Sequence, residues 1–125
     1  MSTIRVDNFG PSAGGTTYSA RGIAKAWVNF NGTGTIAARD SENVSSLTDN
    51  GTGDYTVNFS SAFGAADYAW SCFAGNDGAT AVGRALTTNA APTASAFRFI
   101  TYTADTGSTG NDGAVTTGIA HGDLA

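Results

Sequence analysis

Turn signals built from Gly, Asn and Asp recur along this chain about every ten residues, and between them apolar and polar residues alternate. The clearest case is Tyr55-Thr56-Val57-Asn58-Phe59, which follows the turn-forming run Asp49-Asn50-Gly51-Thr52-Gly53-Asp54. A period of two puts Tyr55, Val57 and Phe59 on one face of a half-buried strand. Ala26, Val28 and Phe30 alternate in the same way with Lys25, Trp27 and Asn29, ahead of the turn Asn31-Gly32-Thr33-Gly34. Further strands are predicted over 35–41, 44–48, 68–73, 80–87, 96–103 and 115–121. Gly-Asn-Asp-Gly occurs at 75–78 and at 110–113 and reads as two hairpin turns, while Pro92 ends pairing locally. About eight short strands at this spacing predict an all-β protein, an antiparallel β-sandwich of jelly-roll-like type. With 17 glycines and three leucines, a helical fold has little to build on.

Charged residues make up only 13% of the 125, about half the share usual for soluble domains. The formal net charge is −4 and basic residues form no cluster, so a nucleic-acid partner is not expected. A single cysteine, Cys72, excludes an internal disulfide and a cysteine-based zinc site. The first residues contain no apolar run, so neither a secretory leader nor membrane insertion is predicted, and the four sequons at Asn31, Asn43, Asn50 and Asn58 carry no weight.

A nucleophile needs a base beside it, and the one histidine, His121, reads as a polar residue at a strand end. No catalytic residues and no cofactor are expected. Asp49, Asn50, Thr52 and Asp54 offer oxygen ligands, but their spacing departs from the calcium-loop pattern and the turn reading is preferred. Strand parity is more telling. If Ala26, Val28 and Phe30 face the core, Trp27 faces outward, and the same rule separates Arg98, Ile100 and Tyr102 from Phe97 and Phe99. Trp27, Arg98, Ile100 and Tyr102 are therefore the candidate interface between copies of the chain. Residues 1–22, with scattered apolar side chains such as Ile4, Val6 and Phe9, cannot form a core alone and read as an attachment arm ahead of a sandwich domain at 23–125. Asn76, Asp77, Asn111 and Asp112 are the candidate exposed recognition loops. Trp27, Trp70 and Tyr102 could supply a sugar-binding aromatic platform, which leaves a stand-alone carbohydrate-binding module as an alternative.

The run Lys25-Ala-Trp-Val-Asn-Phe-Asn-Gly-Thr-Gly-Thr35 and the run Asn43-Val-Ser-Ser-Leu-Thr-Asp-Asn-Gly-Thr-Gly-Asp-Tyr-Thr-Val-Asn-Phe59 resemble a module of bacteriophage tail-fibre and other virion surface proteins. The likeness continues through Ala66-Asp-Tyr-Ala-Trp70 to the close His121-Gly-Asp-Leu-Ala125, and the opening Met1-Ser-Thr-Ile-Arg-Val-Asp7 is similar to the start of short phage fibre proteins. The resemblance implies a virion structural protein without enzymatic activity, a homotrimer made in the host bacterial cytoplasm and displayed on the particle surface. Its partners would be other capsid or tail proteins and a host surface glycan. It implies equally a short fibre or receptor-binding tip and a capsid decoration protein that cements the shell.

Overall fold

The computed structural model describes the chain except for residues 1, 4, 11, 76–82, 88–89 and 104–109; for 21, 83–87 and 103 the backbone alone is described. A short hairpin pairs β1 (Asn8–Phe9) with β2 (Tyr18–Ser19), and one 3-10 turn (Ala20–Gly22) leads into the sandwich. The remaining strands are β3 (Ala26–Asn31), β4 (Ala37–Glu42), β5 (Val44–Gly51), β6 (Asp54–Phe59), β7 (Ala69–Gly75), β8 (Gly83–Thr87), β9 (Ala96–Thr103) and β10 (Val115–His121). They form two four-stranded antiparallel sheets, ordered β4-β3-β10-β7 and β5-β6-β9-β8.

The predicted all-β class and antiparallel sheets are therefore present. The expected strand over 35–41 begins and ends later, at Ala37–Glu42, and the one over 44–48 continues to Gly51, so that most of the Asp49–Asp54 run belongs to a β5-β6 hairpin rather than to a free loop. Between β4 and β5 the chain crosses from one sheet to the other through a single residue, Asn43, at φ 54°. Asparagine tolerates that left-handed backbone better than most residues, and here its side chain fixes the corner. Oδ1 accepts from the Ser61 N–H at 2.7 Å and Nδ2 donates to the Ser61 carbonyl at 3.1 Å.

Alternation decides which residues meet in the middle. Ala26, Val28 and Phe30 of β3 face Tyr55, Val57 and Phe59 of β6 and Phe97 and Phe99 of β9, all buried. Phe30, Tyr55 and Phe99 form one aromatic group, Phe30 and Tyr55 meeting edge to face at 5.1 Å. Phe59, Phe63 and Tyr68 form another, and Phe97 links it to Phe99. Among the described residues two polar ones are fully buried, Thr101 and Thr116, and both hydroxyls are spent on carbonyls: Thr101 on Gly53 and Asn111, Thr116 on Gly113. Among the described residues no buried side-chain polar atom lacks a partner.

Burial also sets a pH response. It pushes the Cys72 thiol from 9.0 up to about 12 and the Tyr68 phenol from 10.0 up to about 12. The folded chain then keeps protons that the unfolded chain has begun to release, so stability declines as pH rises through the unfolded values. Burial raises the Tyr55 hydroxyl in the same direction, so urea midpoints are expected to hold up to about pH 9 and to fall above it as these three groups begin to titrate in the unfolded chain. A midpoint that stayed level to about pH 11 would refute this assignment.

Candidate functional site

Cross-strand neighbours in an antiparallel sheet share a face, so the register fixes what each sheet presents outward. On β4-β3-β10-β7, Ile119 lies opposite Trp27 on one side and Ser71 on the other, and Thr117 lies between Asn29 and Phe73. Phe73 is 55% exposed, Ile119 36%, and Trp27 is half-buried. This is an apolar patch with a polar margin of Asn29, Thr117 and Ser71. The two edges of the sheet differ. Strand β4 carries Arg39, Asp40 and Glu42, charges that discourage edge pairing, whereas β7 reads Ala-Trp-Ser-Cys-Phe-Ala-Gly with no charge.

The outer face of β5-β6-β9-β8 is built differently. Arg98 grips Asp54 through two bonds, Nε to Oδ1 at 2.8 Å and Nη2 to Oδ2 at 2.6 Å. Asn58 Nδ2 donates to Ser46 Oγ and Thr48 Oγ1, each at 3.1 Å, and Asn50 Nδ2 donates to Thr56 Oγ1 at 2.9 Å. These polar side chains satisfy one another, and among the described side chains of that face half-buried Ile100 and Tyr102 are its apolar part.

Of the residues singled out from sequence, Trp27 thus sits on one outer face and Arg98, Ile100 and Tyr102 on the opposite one. They do not form a single patch. The aromatic platform is not assembled either: Trp70 points inward and stacks on Phe97 at 4.9 Å, away from both Trp27 and Tyr102. Asn111 and Asp112 are half-buried rather than exposed loop tips. Asp112 Oδ1 accepts from the Gly53 N–H at 2.6 Å and from the Tyr55 hydroxyl at 2.7 Å, and the Asn111 N–H donates to the Thr101 carbonyl at 3.0 Å. A buried tyrosine and a glycine amide need an acceptor at the end of the sandwich, and the 110–113 turn supplies it. Desolvation, and then the bond to Asp112, drive the Tyr55 hydroxyl strongly upward from its ordinary range. Asn76, Asp77 and Ile4 lie outside the described residues. Val6 and Phe9 are exposed at 54% and 47%, Phe9 packing beside Tyr18 with ring centres 6.0 Å apart.

Phe73 and Ile119 were the residues missed. Alternation over 115–121 sets Val115, Thr117, Ile119 and His121 against Thr116, Gly118 and Ala120, and size alone suggests that the first set is the inner one. The reverse holds, because aromatic rings from the facing sheet occupy the interior and only small residues fit beneath them. A Cβ on Gly118 would lie 2.9 Å from the Phe97 ring.

His121 lines a cleft of about 360 Å³ together with Asp67, Tyr68 and Asp123, and its Nδ1 lies 3.2 Å from the Gly22 carbonyl. No group of three or more metal-ligating side chains occurs among the described residues, and none of their helices is long and apolar enough to cross a membrane. Comparison with known proteins returned nothing: no family model, curated protein or solved structure matches the chain.

Proposed function

We propose that this chain is a bacteriophage virion surface protein, a β-sandwich that assembles as a homotrimer and is displayed on the particle as a short fibre or receptor-binding tip, attached through residues 1–22. The family resemblance of the 25–35 and 43–59 runs motivates the virion assignment. The observation that carries the assembly is the placement of two partly apolar faces on opposite sides of the sandwich, Trp27, Phe73 and Ile119 on one and Ile100 and Tyr102 on the other. One self-complementary patch would make a two-fold dimer, whereas two different patches make a head-to-tail contact, which gives a ring where the rotation between neighbours closes and a filament where it does not; the trimer is the closed case. The exposed apolar side chains of the N-terminal segment, Val6, Phe9 and Tyr18, support its role as the attachment point.

The purified chain is expected to scatter light as about three times 12.6 kDa. Phe73→Asp and Ile100→Asp should each give monomers, since each spoils one of the two faces. Mixed together they should form a one-to-one heterodimer, because the first variant keeps the second face and the second keeps the first. A wild-type monomer, or variants that fail to complement, would overturn the head-to-tail reading. Labelling of particles with an antibody to the chain separates a tail-tip location from a capsid-decorating one.

A further inference from the structure

Two Asn-Gly pairs stand at the ends of hairpin strands, Asn31-Gly32 at the end of β3 and Asn50-Gly51 at the end of β5, and their surroundings differ in chemistry. In such a pair the glycine amide nitrogen can attack the asparagine side-chain carbonyl carbon. A bond forms between that nitrogen and Cγ, the Cγ–Nδ2 bond breaks, the amide proton passes to a base and ammonia leaves. Water then opens the resulting succinimide at either carbonyl, giving aspartate or isoaspartate. The reaction requires a base at the glycine N–H and an asparagine side chain with room to turn.

Neither requirement is met at the first pair. The Gly32 N–H donates to the Gly113 carbonyl at 2.9 Å, which cannot accept a proton, and Gly32 is buried against the Tyr55 hydroxyl. Asn31 is held at both ends, its Oδ1 accepting from the Thr33 N–H at 3.2 Å and hydroxyl at 2.8 Å, and its Nδ2 donating to the Thr33 carbonyl at 3.1 Å. The second pair is the opposite case. The Gly51 N–H donates to Asp49 Oδ1 at 2.9 Å, so a carboxylate already holds the proton that must leave. Asn50 and Gly51 are both exposed, and no atom lies within 4 Å of the position that a Gly51 Cβ would take. The Asn50 amide nitrogen, which becomes ammonia, is held only by Thr56 Oγ1 at 2.9 Å and Asp54 Oδ1 at 3.5 Å.

The geometry points to Asn50 as a self-modifying site, converted to aspartate or isoaspartate with Asp49 as the base, while Asn31 is preserved. The product exchanges the donor that bonds Thr56 for a carboxylate beside Asp49 and Asp54, and takes the formal charge of the chain from −4 to −5. The inference is independent of the virion reading.

The test is peptide mapping by mass spectrometry after incubation of the folded chain at mildly alkaline pH, with tandem fragmentation to locate each added mass unit. The Asn50 peptide is expected to convert at least tenfold faster than the Asn31 peptide. Asp49→Asn keeps an acceptor but no base at that position and should slow Asn50 at least threefold with an unchanged melting temperature. In urea the two sites should react at similar rates. Equal rates in the folded chain, an Asn50 that stays intact there while both sites react in urea, or an Asp49→Asn variant as fast as the parent would overturn the assignment.

Discussion

Gly53→Ala is expected to destabilise the chain by about 2–5 kcal/mol, the sum of a left-handed backbone penalty and forced overpacking. Gly53 has φ +70°, and a Cβ there would sit 2.6 Å from both the Asn111 nitrogen and the Thr101 carbonyl oxygen. Those two groups bond each other, and the Gly53 carbonyl accepts the Thr101 N–H at 2.7 Å, so neither can retreat without opening the end of the sandwich. Gly34 is the matched control: φ is +63° but no atom lies within 4 Å of its would-be Cβ. Gly34→Ala should cost only about 1–2 kcal/mol, the backbone term by itself. Urea denaturation of the two variants separates the contributions, and equal losses would mean that the 110–113 turn yields freely.

A loss of about 3–5 kcal/mol is expected for Phe99→Ala. Phe99 is fully buried and its ring meets Phe30, Tyr55 and Phe97, so its removal leaves a hole walled by rigid rings from both sheets. Rings have few alternative rotamers and collapse poorly into such a space. Phe73→Ala removes the same side chain from a 55% exposed position and should change stability of the isolated chain by no more than about 0.5 kcal/mol. Thermal melts of monomer-range samples distinguish the two. A Phe73 effect as large as that of Phe99 would show that its ring is buried in the free protein.

The strands were most legible where large apolar residues alternate with polar ones, as at 55–59, because burial on one face writes period two directly into the sequence. Legibility failed where that rule was met by small residues. Gly118 and Ala120 face the core under the Phe97 ring, and a reader judging by size turns β10 inside out. It failed again at Asp112. The residue sits in a Gly-Asn-Asp-Gly turn whose local chemistry explains an aspartate fully, while its real partners, Gly53 and Tyr55, are more than fifty residues away in the chain. Nothing local distinguishes a turn aspartate that faces water from one that seals a hydrophobic end. The same holds for the corner at Asn43, where one asparagine among many carries the whole passage between sheets.

Strands β9 and β10 are the last in the chain, yet each lies in the interior of its sheet, β9 between β6 and β8 and β10 between β3 and β7. On a ribosome, the β3-β4 and β5-β6 hairpins emerge first and wait with one open edge each, since the strands that complete them have not been made. The β5-β6-β9-β8 sheet can close once β9, ending at Thr103, has left the exit tunnel, but the β4-β3-β10-β7 sheet cannot close until β10, ending at His121, has followed. A nascent chain stalled short of β10 would hold β3 and β7 without the strand that joins them, and would present their unsealed edges to its neighbours.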